Sequence, residues 1–263
     1  MALTKEQLAA RDGKLTASGV GVLVGADTAK IYDLWRQLTG DPKWAAPDLS
    51  QVWPVRLGEA TEQLHIDWLA GKHGEVSRRG EVVFHPSLDW AACTLDGWLV
   101  QRGCPVEVKH VGGFESRETV VQRYYPQMMW QMLCCETGEC MFSVIEGARE
   151  PIQEIINFNE DYAVELLERA HAFMRHVWNL SEPVELPPVG AMAVLAIKEY
   201  DYRTHNLFCD LAGQYLETKG QASIHERAKK RIKEIIPADA QKVFGGGIEV
   251  SRDRSGRLNI KGA

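Results

Sequence analysis

The chain has 263 residues, 45% of them hydrophobic, enough for one large domain with its own core and a small appendage. No run approaches the ~20 apolar residues of a membrane span, the opening MALTKEQLAARDGK lacks a secretory signal, and the six cysteines follow no framework spacing. A cytoplasmic setting with reduced thiols and no membrane partner is therefore expected. A net charge of −6 and a pI of about 5.8 argue at first against a grip on nucleic acid, but acids clustered around metals and basic residues confined to a channel would give the same total.

Residues 4–40 read as short helices: LTKEQLAAR, then TASGVGVLVG opening at a Thr16 or Ser18 cap, then KIYDLWRQLTG closing on Gly40. Residues 41–54, DPKWAAPDLSQVWP, are a loop rich in proline and tryptophan. A helix is predicted from about Val55 to Leu69, with Leu57, Leu64 and Trp68 toward the core and Glu59, Glu62 and Asp67 as its acids. EVVFHP and a hairpin over 92–111 read as strands. RETVVQRYYPQMMWQMLCCETG reads as an amphipathic helix, kinked or starting afresh near Pro126. MFSVIEG and IQEIINFN are two further strands, and DYAVELLERAHAFMRHVWNL is a strongly periodic helix. SEPVELPPVG reads as a linker, dividing a core of residues 1–189 from an extension of 190–263. The extension holds a helix pair over about 199–236 and a terminal hairpin turning at Ser255-Gly256, with glycines 245–247 as a turn.

The hairpin TLDGWLVQRGCPVEVKH carries charge where an apolar sheet needs none. Alternation puts Glu107 and Lys109 on one face and Val106 and Val108 on the other. A turn centred on Arg102 and Gly103 returns Asp96 to the same end of the sheet as Glu107. An isolated Glu-x-Lys is most often a solvated cross-strand pair. Preceded by an Asp-Gly on the neighbouring strand and a Glu-bearing helix, it becomes a set of oxygen ligands suited to Mg²⁺ or Mn²⁺, the ions phosphodiester hydrolysis uses. Cys134, Cys135 and Cys140 have no early cysteine to complete an iron–sulfur site and read as buried thiols. No zinc pattern, phosphate loop or serine nucleophile elbow occurs.

The order Gly58-x-x-x-Glu62, Leu95-Asp96-Gly97, Glu107-Val108-Lys109 and Tyr124-x-x-Gln127 resembles the phage lambda-type exonucleases and YqaJ-type viral recombinases of the PD-(D/E)XK nucleases. Arg11, followed seven residues later by Ser18, is similar to the same family, and the likeness runs from about Arg11 to Asn179. Leu95-Asp96 stands where the family name has Pro-Asp. The resemblance implies an α/β (α+β mixed sheet) fold, a restriction-endonuclease-like core with helices on both faces and a small C-terminal extension.

By the same resemblance Asp96 and Glu107 are metal ligands, with the Val108 carbonyl and Glu62 completing the set for two Mg²⁺ ions. Lys109 activates water or stabilises the transition state, and Gln127 orients one or the other, with Gln131 one turn on. Arg11 and Ser18 hold a terminal 5′-phosphate, a role that a helix start and a guanidinium suit physically; for Arg117 a phosphate contact and an exposed helix-start position stand equally open. The implied activity is 5′-to-3′ digestion of one strand of double-stranded DNA from its end, by a ring-shaped homotrimer working with a single-strand annealing protein in phage recombination. A PD-(D/E)XK endonuclease and a non-catalytic DNA-end binding scaffold remain the alternatives. The basic residues Lys219, Arg227, Lys229, Lys230, Arg231, Lys233, Arg252, Arg254, Arg257 and Lys261 fit a duplex grip, a solvated face or a subunit contact equally well.

Overall fold

The computed structural model describes residues 4–25, 27–190, 206–253 and 256–262. Arg254, Ser255 and the first part of the expected helix pair lie outside them. The chain forms two compact units, Met1–Ala196 and Ile197–Ala263.

In the first unit, helix α1 (Lys5–Ala10) starts with a capping box between Thr4 and Gln7, and Arg11 closes it. A two-residue strand, β1 (Leu15–Thr16), leads into α2 (Ala17–Val24). Of the two possible caps Thr16 is the one used: its hydroxyl accepts from Gly19 N–H at 3.3 Å, while Ser18 sits in the first turn with its hydroxyl 3.1 Å from that of Thr16. Helix α3 (Thr28–Leu38) follows, capped by Asp27.

Helix α4 spans Trp53–His73, longer than expected at both ends, with Pro54 in its first turn where a missing N–H costs nothing. Its buried stripe also differs from the expected one. Leu64 is 52% exposed, and the buried positions are His65, Ile66 and Leu69. With Glu62 these follow helical i, i+3, i+4, i+7 spacing, so a polar residue takes the place that counting apolar side chains assigns to Leu64.

Strands β2 (Val76–Ser77), β5 (Gly97–Leu99), β6 (Cys104–Val111), β7 (Glu139–Glu146) and β8 (Ile152–Asn157) form a five-stranded sheet in the order β2-β5-β6-β7-β8, parallel between β6 and β7 and antiparallel elsewhere. Strands β3 (Val82–Phe84) and β4 (Ala91–Thr94) join β1 in a second sheet ordered β1-β4-β3. The first arm of the expected 92–111 hairpin is therefore split between two sheets. At the break Leu95 turns its backbone to Gly80 and Glu81 (2.8 and 3.0 Å), leaving Asp96 between strands. Gly97 is required there, because a Cβ would lie 2.6 Å from Val76 Cγ1 as β2 closes on β5.

Both faces of the large sheet are covered. Val106, Val108 and Met141 pack with Ile66 and Leu69 of α4. On the opposite face Phe142 and Val144 pack with Met128, Met129 and Met132 of helix α5 (Arg117–Cys135), which runs through Pro126 as one element. Trp130 Nε1–H donates to Ala92 O at 3.1 Å, tying α5 to β4. Helix α6 (Glu160–Trp178) completes this layer through Leu166, Phe173 and Met174.

Among its described residues the second unit holds one 30-residue helix, α7 (Asn206–Ile235), over most of the expected pair. No proline interrupts it before Pro237, and glycines 213 and 220 cost it only propensity. A three-stranded antiparallel sheet follows: β9 (Lys242–Gly245), which was not expected, β10 (Ile248–Arg252) and β11 (Leu258–Gly262). Gly246 and Gly247, both at positive φ, make the β9–β10 turn.

Candidate active site

The β5–β6 pairing sets the site. Leu99 pairs with Cys104 and Gly97 with Val106, so Asp96 arrives beside the next residues of β6 and its Oδ2 accepts from Val108 N–H at 2.9 Å. Glu107, fully buried, points toward α5, where Gln127 Nε2–H donates to Oε1 at 2.6 Å and Gln131 Nε2–H to Oε2 at 2.5 Å. The four-residue separation on α5 places both amides on one helical face. Lys109 ion-pairs with Glu107 from two residues along β6, and its ammonium lies 5.2 Å from the Tyr124 ring centroid. Glu62, on α4, sits 3.2 Å from the Arg79 guanidinium.

A cavity of about 400 Å³ is lined by Glu62, His65, Asp96, Val108, Lys109 and His110, among others. Glu107 is not in its wall. Burial pushes the Glu107 carboxyl up to about 7, opposed by Lys109 and reinforced by Asp96. Burial pulls Lys109 down, but the Glu107 and Asp96 carboxylates outweigh it and hold the amine above its ordinary value. Lys109 is thus an ammonium, better suited to stabilising negative charge than to taking a proton.

The oxygen donors near this cavity are two carboxylates on β6 and its approach, Glu62 on α4, and the backbone at Val108, with His65 and His110 also in the wall. Among the described residues no three His, Cys, Asp or Glu side chains converge into a metal cage. A small carboxylate set that leaves most positions to water and substrate phosphate is the habit of Mg²⁺, and the donor chemistry fits such an ion.

Arg11 and Ser18 come together at a second cavity, of about 270 Å³, with Lys14, Thr16 and Gln37 in its wall. Burial lowers the Arg11 pKa. The two cavities share no lining residue. Arg117 is in neither wall: its Nε–H donates to Glu154 at 2.9 Å, and Nη1 lies 4.0 Å from Glu146.

The profile of the YqaJ-like viral recombinase domain matches residues 6–139, a span holding Arg11, Ser18, Glu62, Asp96, Glu107, Lys109 and Gln127. The chain belongs to that family. Its PD-(D/E)XK fold is similar to that of an alkaline exonuclease from Laribacter hongkongensis, with a TM-score of 0.55 and 20% identity over 67% of this chain and 94% of the other. The same exonuclease solved with dAMP gives 0.53 and 21% over 67% and 94%. A phage-related exonuclease from Haemophilus somnus 129PT gives 0.51 and 13%, over 64% of this chain and 94% of that one. No curated protein sequence matches.

Three residues of this YqaJ-like site were not singled out from the sequence: His65 and Thr61 on α4, and Arg79. Their signal was present for α4, since Thr61, Glu62 and His65 share a helical face; His110 Nδ1, on β6, lies 3.2 Å from Thr61 Oγ1. Arg79 gave none, because its contact with Glu62 spans a helix end and a loop.

Proposed function

We propose that this chain is a Mg²⁺-dependent 5′-to-3′ exodeoxyribonuclease, with Mn²⁺ able to substitute. It digests one strand of double-stranded DNA from its end and leaves 3′ single-stranded overhangs for recombination by strand annealing. The observation that carries the reading is the grouping of Asp96, Glu107 and Lys109 around the middle of β6, with Asp96 and Lys109 open to a cavity that admits a phosphodiester. Membership in a family of viral recombinases and a fold shared with two named exonucleases support it. The dAMP held by the Laribacter enzyme belongs to the product class that stepwise digestion releases.

Asp96, Glu107, Glu62 and the Val108 carbonyl would hold the cation, which when bound supplies the charge that phosphoryl-oxygen polarisation and leaving-group stabilisation need. Gln127 and Gln131 hold Glu107 in one rotamer behind the cavity wall, so it would meet a cation only by exchanging one of these partners. Lys109 adds a fixed positive charge beside the phosphate. At the second cavity Arg11, Ser18 and the start of α2 hold the terminal 5′-phosphate, setting which strand enters. A homotrimeric ring would give processivity by topology, and an annealing protein would receive the overhang.

Covalently closed and linear duplexes, incubated in parallel with Mg²⁺, test the reading. Linear DNA should be consumed and closed circles left intact. Nicking of closed circles would make the protein an endonuclease, and inertness toward every DNA with Mg²⁺ or Mn²⁺ would leave a non-catalytic end-binding scaffold. Light scattering that shows a monomer at working concentration would remove the ring.

A further inference from the structure

The active-site cavity contains a buried group that the nuclease reading does not use. His65, 1% exposed, lies one turn beyond Glu62 on α4 and lines the same cavity as Asp96 and Lys109. Its Nδ1 is 2.8 Å from the Ser143 hydroxyl on β7, and Ser143 is itself fully buried. Ser143 pairs in register with Val108, which places it on the α4 face of the sheet, and it is not in the cavity wall. The Nδ1 edge of the ring therefore points into the sheet, leaving Nε2 on the other edge of a ring that lines the cavity.

Nε2 is buried and has no hydrogen-bond partner. It is one of eight such side-chain atoms among the described residues and the one whose residue lines this cavity, where water, an ion or substrate can supply the partner. The tautomer follows from Ser143, whose hydroxyl makes no other hydrogen bond among the described residues. Its proton goes to Nδ1, which leaves the imidazole proton on Nε2. Burial, with Lys109 and His110 nearby, pushes the ring down to about 4, so it is a neutral donor. The cavity thus presents an N–H beside an ammonium and asks for an acceptor with negative charge.

We infer that His65 is a further catalytic residue, whose Nε2–H donates to a non-bridging oxygen of the scissile phosphodiester, and that Ser143 is the positioning residue fixing its tautomer. The inference rests on the nuclease reading. A neutral donor suits this place because it binds the phosphoryl oxygen without competing with the carboxylates for a cation, and it strengthens as charge grows on that oxygen.

The test compares wild type, His65→Ala and His65→Gln on duplexes whose scissile phosphate is normal or a single phosphorothioate diastereomer, in Mg²⁺ and in Mn²⁺. Gln retains an N–H near the Nε2 position. His65→Ala should lower kcat by about 10²-fold with KM little changed, and His65→Gln should recover part of it. Wild type should be slowed by one diastereomer in a way that Mn²⁺ does not relieve, and His65→Ala should lose that discrimination. Mn²⁺ titration by calorimetry should be the same for wild type and His65→Ala.

Unchanged kcat, or lowered kcat with discrimination intact, would make His65 structural. Weakened Mn²⁺ binding would make it a metal ligand, and either result overturns the inference. If His65→Ala does not fold, absence of the Mn²⁺-insensitive thio effect in wild type overturns it by itself. A wild type that cuts no DNA removes the nuclease reading and this inference together, whereas a wild type that cuts without the thio effect removes only this inference.

Discussion

Gln131 donates to Glu107 Oε2 at 2.5 Å in a place where neither residue is reached by solvent. Gln127 meets the other carboxylate oxygen at 2.6 Å. Gln131→Leu removes one donor and leaves a buried carboxylate oxygen unpaired, which should cost about 1.5–3 kcal/mol of stability. Urea unfolding of metal-free protein at pH 8 measures it. A loss within experimental error would show that the Glu107 carboxylate does not depend on this amide.

The stability of the metal-free protein should depend on Glu107 in a set direction. Its folded pKa, about 7, stands above the ordinary 4.5 because of burial, so the folded state binds the proton more tightly than the unfolded chain. That contribution is complete below pH 4.5 and is lost as pH rises through 7. Relative to Glu107→Gln, wild type should therefore lose on the order of 3 kcal/mol between about pH 4.5 and pH 8. Parallel denaturant titrations across this range check it, and a difference that does not change with pH contradicts the buried, proton-holding carboxyl.

Lys109 and Asp96 should separate chemistry from metal binding. Lys109→Ala removes the ammonium that pairs with Glu107 but leaves both carboxylates, so turnover should fall by about 10²-fold or more while Mn²⁺ binding persists. Asp96→Ala removes a proposed ligand and the acceptor of Val108 N–H, and should weaken Mn²⁺ binding itself. Calorimetry with Mn²⁺ alongside a cleavage assay reads both. Full activity in either purified variant would sink the assignment.

Arg11→Ala should act on substrate choice. In wild type a duplex end bearing a 5′-phosphate should be digested faster than one ending in a hydroxyl, because the proposed phosphate pocket is lined by the Arg11 guanidinium and the Ser18 hydroxyl. The variant should lose most of this preference while its rate on the hydroxyl end stays near wild type. Equal slowing of both substrates would mark Arg11 as a general duplex or folding residue.

How far the sequence carried depends on the range of the interaction involved. The faces of β6 were legible because strand alternation is a property of the backbone: Glu107 and Lys109 had to share a side, and a turn at Gly103 had to bring Asp96 back. Gln127 and Gln131 were legible as one helical face for the same reason, although Pro126 made the continuity of α5 ambiguous and only packing against the sheet kept it whole. The α4 stripe was misassigned because apolar counting favours Leu64, while the sheet accepts His65 through a hydrogen bond to Ser143, 78 residues away.

What tertiary structure decided was partnership. No local pattern says that Leu95 leaves the hairpin for Gly80 and Glu81, that Arg117 is drawn to Glu146 and Glu154, or that Glu62 faces Arg79. Nor could periodicity tell that Glu107 lies buried out of the cavity wall while Lys109 lines it. Backbone geometry fixes which way a side chain points from its own element, and that much is written residue by residue in the sequence. Which group it meets depends on how separate elements close on one another, a compromise of packing, desolvation and charge over the whole core that no short stretch contains.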